Sequence, residues 1–282
     1  CIRDRCQTEQ KLPFTKTLEL PSFGATAWTA CVEGQTEYLN CRAVNSRRIE
    51  VRGAYGLVVS VHAQLSTEVI TALSEGGIEQ KLTTLGGVRR AATLEKLVTI
   101  EGALTFPKPP AAILDITGTA EVRELKRMQG KAVAKGTLRA LCAWRAEGDA
   151  ALLSQTAELP FHQIVDVEGL SEDCQCLCTL APVGFAAAEG ETAEDGSAST
   201  TLTATALLRL SGWRPYQLQC VADAFSTRFA VEVTPQTIAT EGLLCTLDET
   251  TVLRGSGPLP DAGAHILACF ASFGPVSLTR GE

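Results

Sequence analysis

The chain repeats itself at a spacing the size of a whole domain. Leu12-Pro13-Phe14 recurs as Leu159-Pro160-Phe161, an offset of 147 residues, and at this offset Cys31 falls on Cys178. Further on the offset is 153, at which Ile49, Val51, Tyr55 and Leu57 fall on Leu202, Ala204, Leu208 and Leu210. Solenoid repeats are about 20 to 50 residues long and cannot bury a face alone. The longer period therefore indicates tandem duplication of domains.

The second copy is six residues longer than the first, which is the difference between the two offsets. The extra residues fit best in 186–199, a stretch of Glu, Gly, Ala, Ser and Thr that is typical of a loop between strands. The larger offset persists, since Gly102, Pro107, Ala111, Ile113 and Leu114 reappear as Gly255, Pro260, Ala264, Ile266 and Leu267. We therefore predict the C-terminal part of a first unit in 1–67, a second unit in 68–228 and the N-terminal part of a third in 229–282. The chain is expected to be an excised fragment.

Apolar and polar residues alternate along both copies, as in strands with one face in a core and the other in water. In residues 132–145 the apolar face carries Ala132, Ala134, Leu138, Ala140, Cys142 and Trp144. Glu147-Gly148-Asp149 then predicts a hairpin turn. Helical periodicity is confined to 88–97, and the prolines of 107–110 indicate a connection. The pattern predicts an all-β fold of tandem antiparallel β-sandwich or barrel domains with little helix.

Composition limits the partners and the compartment. A net charge of -7 and a pI near 5.2 provide no positive field for phosphates, so we expect no nucleic-acid partner. No run reaches the roughly 18 apolar residues that span a bilayer, so we expect no membrane span. The eleven cysteines are odd in number and lack the spacing of a disulfide framework. Reduced thiols in a reducing compartment are therefore the favoured state.

Three alternating cysteines form the strongest candidate for chemistry. Cys174, Cys176 and Cys178 share one face if the segment is a strand. Clustered thiolates bind zinc, but structural zinc sites usually combine a Cys-x2-4-Cys knuckle with a second ligand pair, and none is obvious in the sequence. A buried apolar face is the favoured interpretation, and a metal or redox site is the alternative.

No other residues form a catalytic pattern. The histidines, His62, His162 and His265, stand apart from any nucleophile motif. Glu158 and Asp166 could flank a groove as glycosidase carboxylates do, but the first copy has Lys11 and Glu19 there, which favours a solvated strand edge. The glycine groups, Gly86-Gly87 and Gly255-Ser256-Gly257, fit no phosphate-binding motif and are interpreted as turns. We expect no catalytic residue and no cofactor.

The repeated Leu-Pro-Phe predicts a structural anchor. An aromatic residue after Leu-Pro in both copies is expected to begin a core strand, with Phe14 and Phe161 in similar surroundings. If their surroundings differ, the duplication hypothesis fails, and the role inferred from the duplication fails with it.

Three segments of the second unit carry a resemblance to a known family. Residues 130–138 resemble its "GKV-V-G-L" strand, 158–169 its "lPF-x-x-hidvpG" signature, and 221–227 its "v-D-aYst" ending. On these residues the chain is similar to the SPOCS domain of SipL-like proteins from spore-forming Firmicutes. The signature positions are Leu12, Pro13, Phe14, Leu159, Pro160, Phe161, Gly130, Gly136, Gly169 and Asp223.

The resemblance implies a role in building the spore envelope on the mother-cell, cytoplasmic side. SipL-like proteins join a coat-basement ATPase to the assembling coat, so such an ATPase is the partner that the resemblance implies. The duplication preserves apolar residues, Gly and Pro rather than polar sites, which favours a non-enzymatic protein-interaction module acting through sheet edges and loops. The alternatives are a carbohydrate or peptidoglycan-binding module and, third, a wall hydrolase. No LysM-like segment is visible in the sequence.

Overall fold

A computed structural model describes residues 13–22, 27–149, 151–188, 190–242, 252 and 254–257. Secondary structure in these residues consists of strands without helices, which confirms the all-β prediction. The strands are β1 (Ala27–Asn45), β2 (Arg48–Gln64), β3 (Glu79–Phe106), β4 (Pro110–Met128), β5 (Lys131–Ala146), β6 (Leu153–Asp166), β7 (Gln175–Ala187), β8 (Glu191–Thr192) and β9 (Ala198–Phe225). Within the described ranges there is no helix long and apolar enough to cross a membrane.

The strands form three sheets. β1 pairs with β2, the order β4-β5-β6 makes a second sheet, and the order β3-β9-β7 makes a third, in which β8 also pairs with β9. The contacts divide the chain into a first unit, residues 1–83 with 220–233, and a second unit, residues 84–219 with 234–282. β3 and β9 each contribute residues to both units. The unit boundaries proposed from the sequence, after residues 67 and 228, fall in segments without strands.

The second unit contains the main hydrophobic core. The predicted inward face of β5 is confirmed, because its six apolar residues are each at most 2% exposed. β9 faces the same core with Leu202, Ala204, Leu208 and Leu210, and β4 packs on β7. Trp144 packs edge-on against Phe106 with ring centroids 4.9 Å apart. Two antiparallel layers thus bury their alternating apolar faces against each other.

The predicted turns and connections are largely confirmed. Gly148 adopts a φ of 70° in the turn between β5 and β6, which favours glycine. Residues 107–109 connect β3 to β4, and Pro110 takes the first position of a strand, where its missing N–H costs least. The predicted loop in the longer copy is also present, since β8 is the only strand among the described residues between β7 and β9, which are 188 and 190–197.

Two local predictions are wrong. Residues 88–97 lie inside β3 rather than in a helix, because pairing with β9 overrides their weak helical periodicity. Gly86 and Gly87 also lie inside β3 and form no turn. A Cβ at Gly87 would approach the Tyr216 hydroxyl to 2.7 Å, so the glycine there makes room for an aromatic ring. The residues 254–257, which include the other glycine group, belong to neither helix nor strand.

The two Leu-Pro-Phe stretches differ in their surroundings. Phe161 lies in β6 and is 6% exposed, whereas Phe14 precedes β1 outside any strand and is 67% exposed. Phe161 therefore lies in a core strand, although in the middle of β6 and not at its start, and the prediction is wrong for Phe14. The physical reason is that, among the described residues, β1 and β2 form a sheet of two strands that contributes no residue to the buried core. Because the two surroundings are dissimilar, the duplication hypothesis and the role inferred from it lose the structural support that was expected of them. Leu12 lies outside the described residues.

The two long hairpins also differ in register. Residue Leu57 of β2 lies opposite Gly34, whereas Leu210, its counterpart at offset 153, lies opposite Cys178. Cys31 instead lies opposite Ser60, so the sequence match of Cys31 with Cys178 does not hold as a structural equivalence. The links explain the difference, because residues 46–47 join β1 to β2 and a longer segment joins β7 to β9.

Candidate functional site

The three alternating cysteines lie at the start of β7, on the side that faces the core. Cys174 is fully buried just before the strand, while Cys176 and Cys178 are partly buried and pack against the hydrophobic cluster. All three are free thiols. In the described residues there is no group of three or more His, Cys, Asp or Glu side chains that could hold a metal ion. The burial of Cys174 and the packing of Cys176 and Cys178 against the core agree with the buried apolar face that the sequence favours.

The protonation of these thiols agrees with that interpretation. Burial, with a smaller effect of neighbouring Cys176, raises the pKa of Cys178 to about 11. Burial also raises the pKa of Cys176, an effect that Arg127 partly opposes. A thiol must lose its proton to act as a nucleophile or a metal ligand. In the absence of a bound metal, these two thiols are therefore poor nucleophiles at neutral pH.

We expect the buried thiols to react slowly with alkylating reagents. At pH 8 only about one thiol in a thousand is ionised when the pKa is near 11. Cys178 and Cys142, whose pKa burial also raises to about 11, should therefore be labelled at least about tenfold more slowly than the exposed Cys41. Pulsed labelling of the native chain with iodoacetamide and mass spectrometry measures each rate.

The pH dependence of labelling supplies the control. The rate at Cys178 should rise about tenfold for each pH unit between 8 and 10, because the thiolate fraction rises by that factor below the pKa. Labelling of Cys178 as fast as Cys41 at pH 8 would contradict the burial and the protonation described above.

A polar cluster that the sequence did not reveal surrounds Cys174. The Ser171 hydroxyl donates to the Asp173 carboxylate, accepts from the Arg214 guanidinium and lies 3.2 Å from the Cys174 sulfur. Arg127 Nη1 donates to the Cys174 carbonyl oxygen at 2.5 Å. These arginines are separated in sequence from their partners by 43 and 47 residues. No local pattern could have identified them.

The charges and hydrogen bonds of this cluster hold the segment between β6 and β7 in place. Arg214 Nε lies 3.2 Å from Asp173 Oδ2, an ion pair whose alignment is too poor for a hydrogen bond. The hydrogen bond from Ser171, followed by the charge of Arg214, lowers the pKa of Asp173. Ser171 already donates to one charged group and accepts from another, so its oxygen is held as a structural link rather than activated as a nucleophile. The cluster ties the segment between β6 and β7 to β4 and β9.

The carboxylate pair proposed from the sequence is exposed and far apart. Glu158 and Asp166 lie on the outer face of β6 and pair with Arg139 at 2.9 Å and Lys131 at 3.6 Å. Eight residues along a strand span roughly 26 Å, whereas glycosidase carboxylates stand about 5 to 10 Å apart. The pair cannot act on one glycosidic bond. The favoured interpretation, a solvated strand edge, agrees with this geometry.

The two described histidines are exposed side chains on different strands. His62 and His162 are both exposed, on β2 and β6 respectively. His265 lies outside the described residues.

The structure explains why glycine occupies the signature positions. Gly136 lies opposite Phe161, whose ring covers it, and a Cβ there would collide with the Glu121 carbonyl oxygen of β4. Gly130 and Gly169 have φ values of 69° and 77°, which side chains rarely adopt. Asp223 is exposed and accepts a hydrogen bond from the next backbone N–H at 2.8 Å. These positions maintain the strands and turns of the unit.

The strongest candidate for a binding surface is one face of the β1–β2 sheet. Directly opposite residues share a face, so the register places one set of apolar side chains together. We call this set the apolar face: Trp28, Val32, Leu39, Ile49, Val51, Tyr55 and Leu57. Their exposure ranges from 36% for Leu57 to 69% for Ile49. The other face is more polar, with pairs such as Arg42 opposite Glu50 and Asn40 opposite Arg52.

An exposed surface of this kind is unusual. Monomeric proteins rarely expose contiguous apolar patches beyond a few hundred Å², and larger patches mark interaction sites. Phe14 extends the apolar face, because its ring packs edge-on against Tyr55 with centroids 6.0 Å apart. Comparison with protein-family models, with curated proteins and with solved structures finds no match.

Proposed function

We propose that this chain is a non-enzymatic structural module that binds other proteins through the apolar face of β1–β2. The observation that supports it is the exposure of seven large apolar side chains on one side of a two-stranded sheet. A sheet of two strands needs a covering layer to be stable on its own in water. Burying such a face against a protein partner removes apolar area from water at about 25 cal/mol per Å².

The setting we propose is the assembly of the spore coat or envelope on the mother-cell side. Its support is the resemblance of residues 130–138, 158–169 and 221–227 to SPOCS domains. By that resemblance a coat-basement ATPase is the first partner to test. Gly130, Gly136 and Gly169 support the resemblance to SPOCS domains, because each lies where the fold requires glycine. Gly130 and Gly169 have a positive φ, and Gly136 lies too close to the backbone of β4 for a side chain.

The alternative, a carbohydrate or peptidoglycan-binding module, draws support from the exposed rings of Trp28 and Tyr55 on the apolar face. Trp28 lies opposite Ala63, which is eight residues along β2 from Tyr55, so roughly 26 Å separates the two positions. Aliphatic side chains occupy the space between them. A sugar platform needs rings close enough to stack on one saccharide, so the aliphatic character favours a protein partner.

The test compares capture of protein with capture of peptidoglycan. The immobilised chain is incubated with extract of sporulating cells and, separately, sedimented with purified peptidoglycan. We expect retention of envelope proteins, with the ATPase among them, and no sedimentation with the wall. We expect Val51→Lys to reduce protein retention at least about tenfold, because it places a charge in the buried centre of the contact.

The matched control is Val58→Lys. Val58 is 64% exposed on the same strand but lies opposite Glu33 on the other face. Equal loss with both variants would argue against the apolar face as the binding surface. Sedimentation with peptidoglycan that Trp28→Ala abolishes would favour the carbohydrate-binding alternative.

A further inference from the structure

The two outward-facing sides of the second unit differ in charge. On the sheet β4-β5-β6, basic residues of β5 form ion pairs with carboxylates of both neighbouring strands. The pairs are Lys131–Asp166 at 3.6 Å, Lys135–Glu124 at 3.2 Å and Arg139–Glu158 at 2.9 Å. An antiparallel sheet face that remains in water carries polar and charged side chains of this kind. We call this side the charged face.

The outer side of the sheet β3-β9-β7 has few charges. β7 contains no charged residue, and Arg209 is the one charge in β9 between residues 199 and 213. Arg209 Nε pairs with Glu95 of β3 at 2.9 Å, so its charge is balanced within the sheet. Directly opposite residues share this side of the sheet, among them Leu177 and Ser211, Thr179 and Arg209, and Ala181 and Leu207.

Large apolar side chains lie among these uncharged residues. Leu97 belongs to the exposed row of β3 that includes Glu95, and it is 61% exposed. Leu177 and Val183 of β7 are each 58% exposed. On β9, Leu207 and Trp213 are half-buried, and Trp213 lies opposite the residue two positions before Leu177. We call this set the low-charge face: Leu97, Leu177, Val183, Leu207 and Trp213.

The contrast between the two faces indicates a contact surface. Both belong to the same unit and the same kind of antiparallel sheet, so the charged face shows what this fold carries where a face stays in water. The centre of a protein interface is depleted of charged residues and enriched in aromatic ones. The low-charge face has this composition, with Trp213 as its aromatic residue.

The low-charge face is large enough for a stable contact. β7 is 13 residues long and is the shortest of the three paired strands. Three strands about 4.8 Å apart, with a rise of about 3.3 Å per residue, make a surface of roughly 14 by 43 Å. Two such surfaces packed together remove about 1,200 Å² from water in total, which reaches the lower limit of specific stable interfaces.

A second copy of the chain is the partner that fits this surface. A partner selected by charge needs an excess of one sign to attract it, and here Arg209 and Glu95 balance each other. β9 is the central strand, so a two-fold axis parallel to β9 places β3 of one copy over β7 of the other. The carboxylates of β3, Glu95 and Glu101, then face a strand without charge.

We propose that two copies of this chain form a two-fold dimer in which their low-charge faces pack on each other. Twisted sheets pack face to face in this way, with their strands about 30° apart. The contact is closed, because each copy uses its one low-charge face, and it therefore makes a dimer. These residues lie on different strands from the apolar face of β1–β2, so the inference does not depend on the proposed function.

Sedimentation velocity of the full chain over a range of concentrations tests the contact. We expect the wild-type chain to dimerise. Leu97→Lys and Leu177→Lys should each raise the Kd of the dimer at least about tenfold, because each places an ammonium group inside the contact. Val51→Lys, which changes the apolar face of β1–β2, should dimerise as the wild type does.

The matched control is Ile164→Lys. Ile164 is 60% exposed, close to the value for Leu97, and it lies on the charged face in the same row of β6 as Asp166. This variant should keep the Kd of the wild type. Circular dichroism and the unfolding midpoint check that each variant folds, and Val183→Lys replaces a variant of the low-charge face that does not.

Four results overturn the proposal. They are a wild-type chain that stays monomeric, a dimer that Val51→Lys abolishes and Leu97→Lys leaves intact, equal weakening by Ile164→Lys and Leu97→Lys, and a monomeric chain whose low-charge face captures a different protein. None of them decides the proposed function, which depends on whether Val51→Lys reduces retention of envelope proteins. Loss of that retention with an intact dimer would separate the two surfaces.

Discussion

Replacing Phe161 by alanine is expected to lower the free energy of unfolding by about 3 to 5 kcal/mol. Phe161 is 6% exposed in β6, and its ring covers Gly136 of the neighbouring strand. Alanine would leave a cavity in a core that cannot fully collapse around it. Urea or guanidinium unfolding, followed by fluorescence and circular dichroism, measures the change in midpoint and slope.

The chain provides a matched control in the first copy of the same tripeptide. Phe14→Ala removes the same atoms from a residue that is 67% exposed, so we expect a change within about 0.5 kcal/mol. A comparable loss at both positions would mean that the two Phe residues share buried surroundings, contrary to the structure. An unchanged midpoint for Phe161→Ala would contradict its place in the core.

The second large effect is expected at Gly136. Adding a methyl group there directs Cβ at the backbone carbonyl of Glu121 and to within 2.7 Å of Phe161 Cζ. The carbonyl belongs to the adjacent strand and cannot rotate away without separating β4 from β5. We expect Gly136→Ala to cost about 3 kcal/mol, at the upper end of the usual range for overpacking. The same unfolding experiment measures it.

Gly184→Ala is the control for the glycine prediction. Gly184 lies in β7 at a bulge, and a Cβ there would have no atom within 4 Å. Reduced flexibility of the unfolded chain should leave this variant as stable as the wild type or up to about 1 kcal/mol more stable. Similar destabilisation at both glycines would point to a general cost of alanine in these strands instead of the collision at Gly136.

The two copies show that one sequence pattern can have different energetic roles. Ile49 and Leu202 are matched at offset 153, yet Leu202 is fully buried and Ile49 is 69% exposed. The same holds for Phe14 and Phe161. Burial therefore depends on the presence of a partner layer in addition to the alternation of the strand. The exposure of the apolar face of β1–β2 is the observation on which the proposed function rests.

The sequence by itself determined the alternating faces of β2 and β5 and several of the turns. Alternation along β5 identified the inward set from Ala132 to Trp144, and Gly148 with the prolines of 107–110 marked the breaks. These features are local, because side chains of a strand alternate by geometry and glycine or proline restricts the backbone within a few residues. Whether a cysteine is exposed, as Cys41 is, or buried, as Cys174 is, depends instead on contacts with residues far away in the sequence.

Only the tertiary structure decided what each face meets. It placed 88–97 in a strand beside β9, separated Phe14 from the core that receives Phe161, and brought Arg127 and Arg214 to the loop around Cys174. The physical reason is that pairing and burial depend on residues far apart in sequence, whose contacts contribute more free energy than local preference. An alternating pattern specifies an apolar face, and a second layer decides whether that face becomes a core or remains open to a partner.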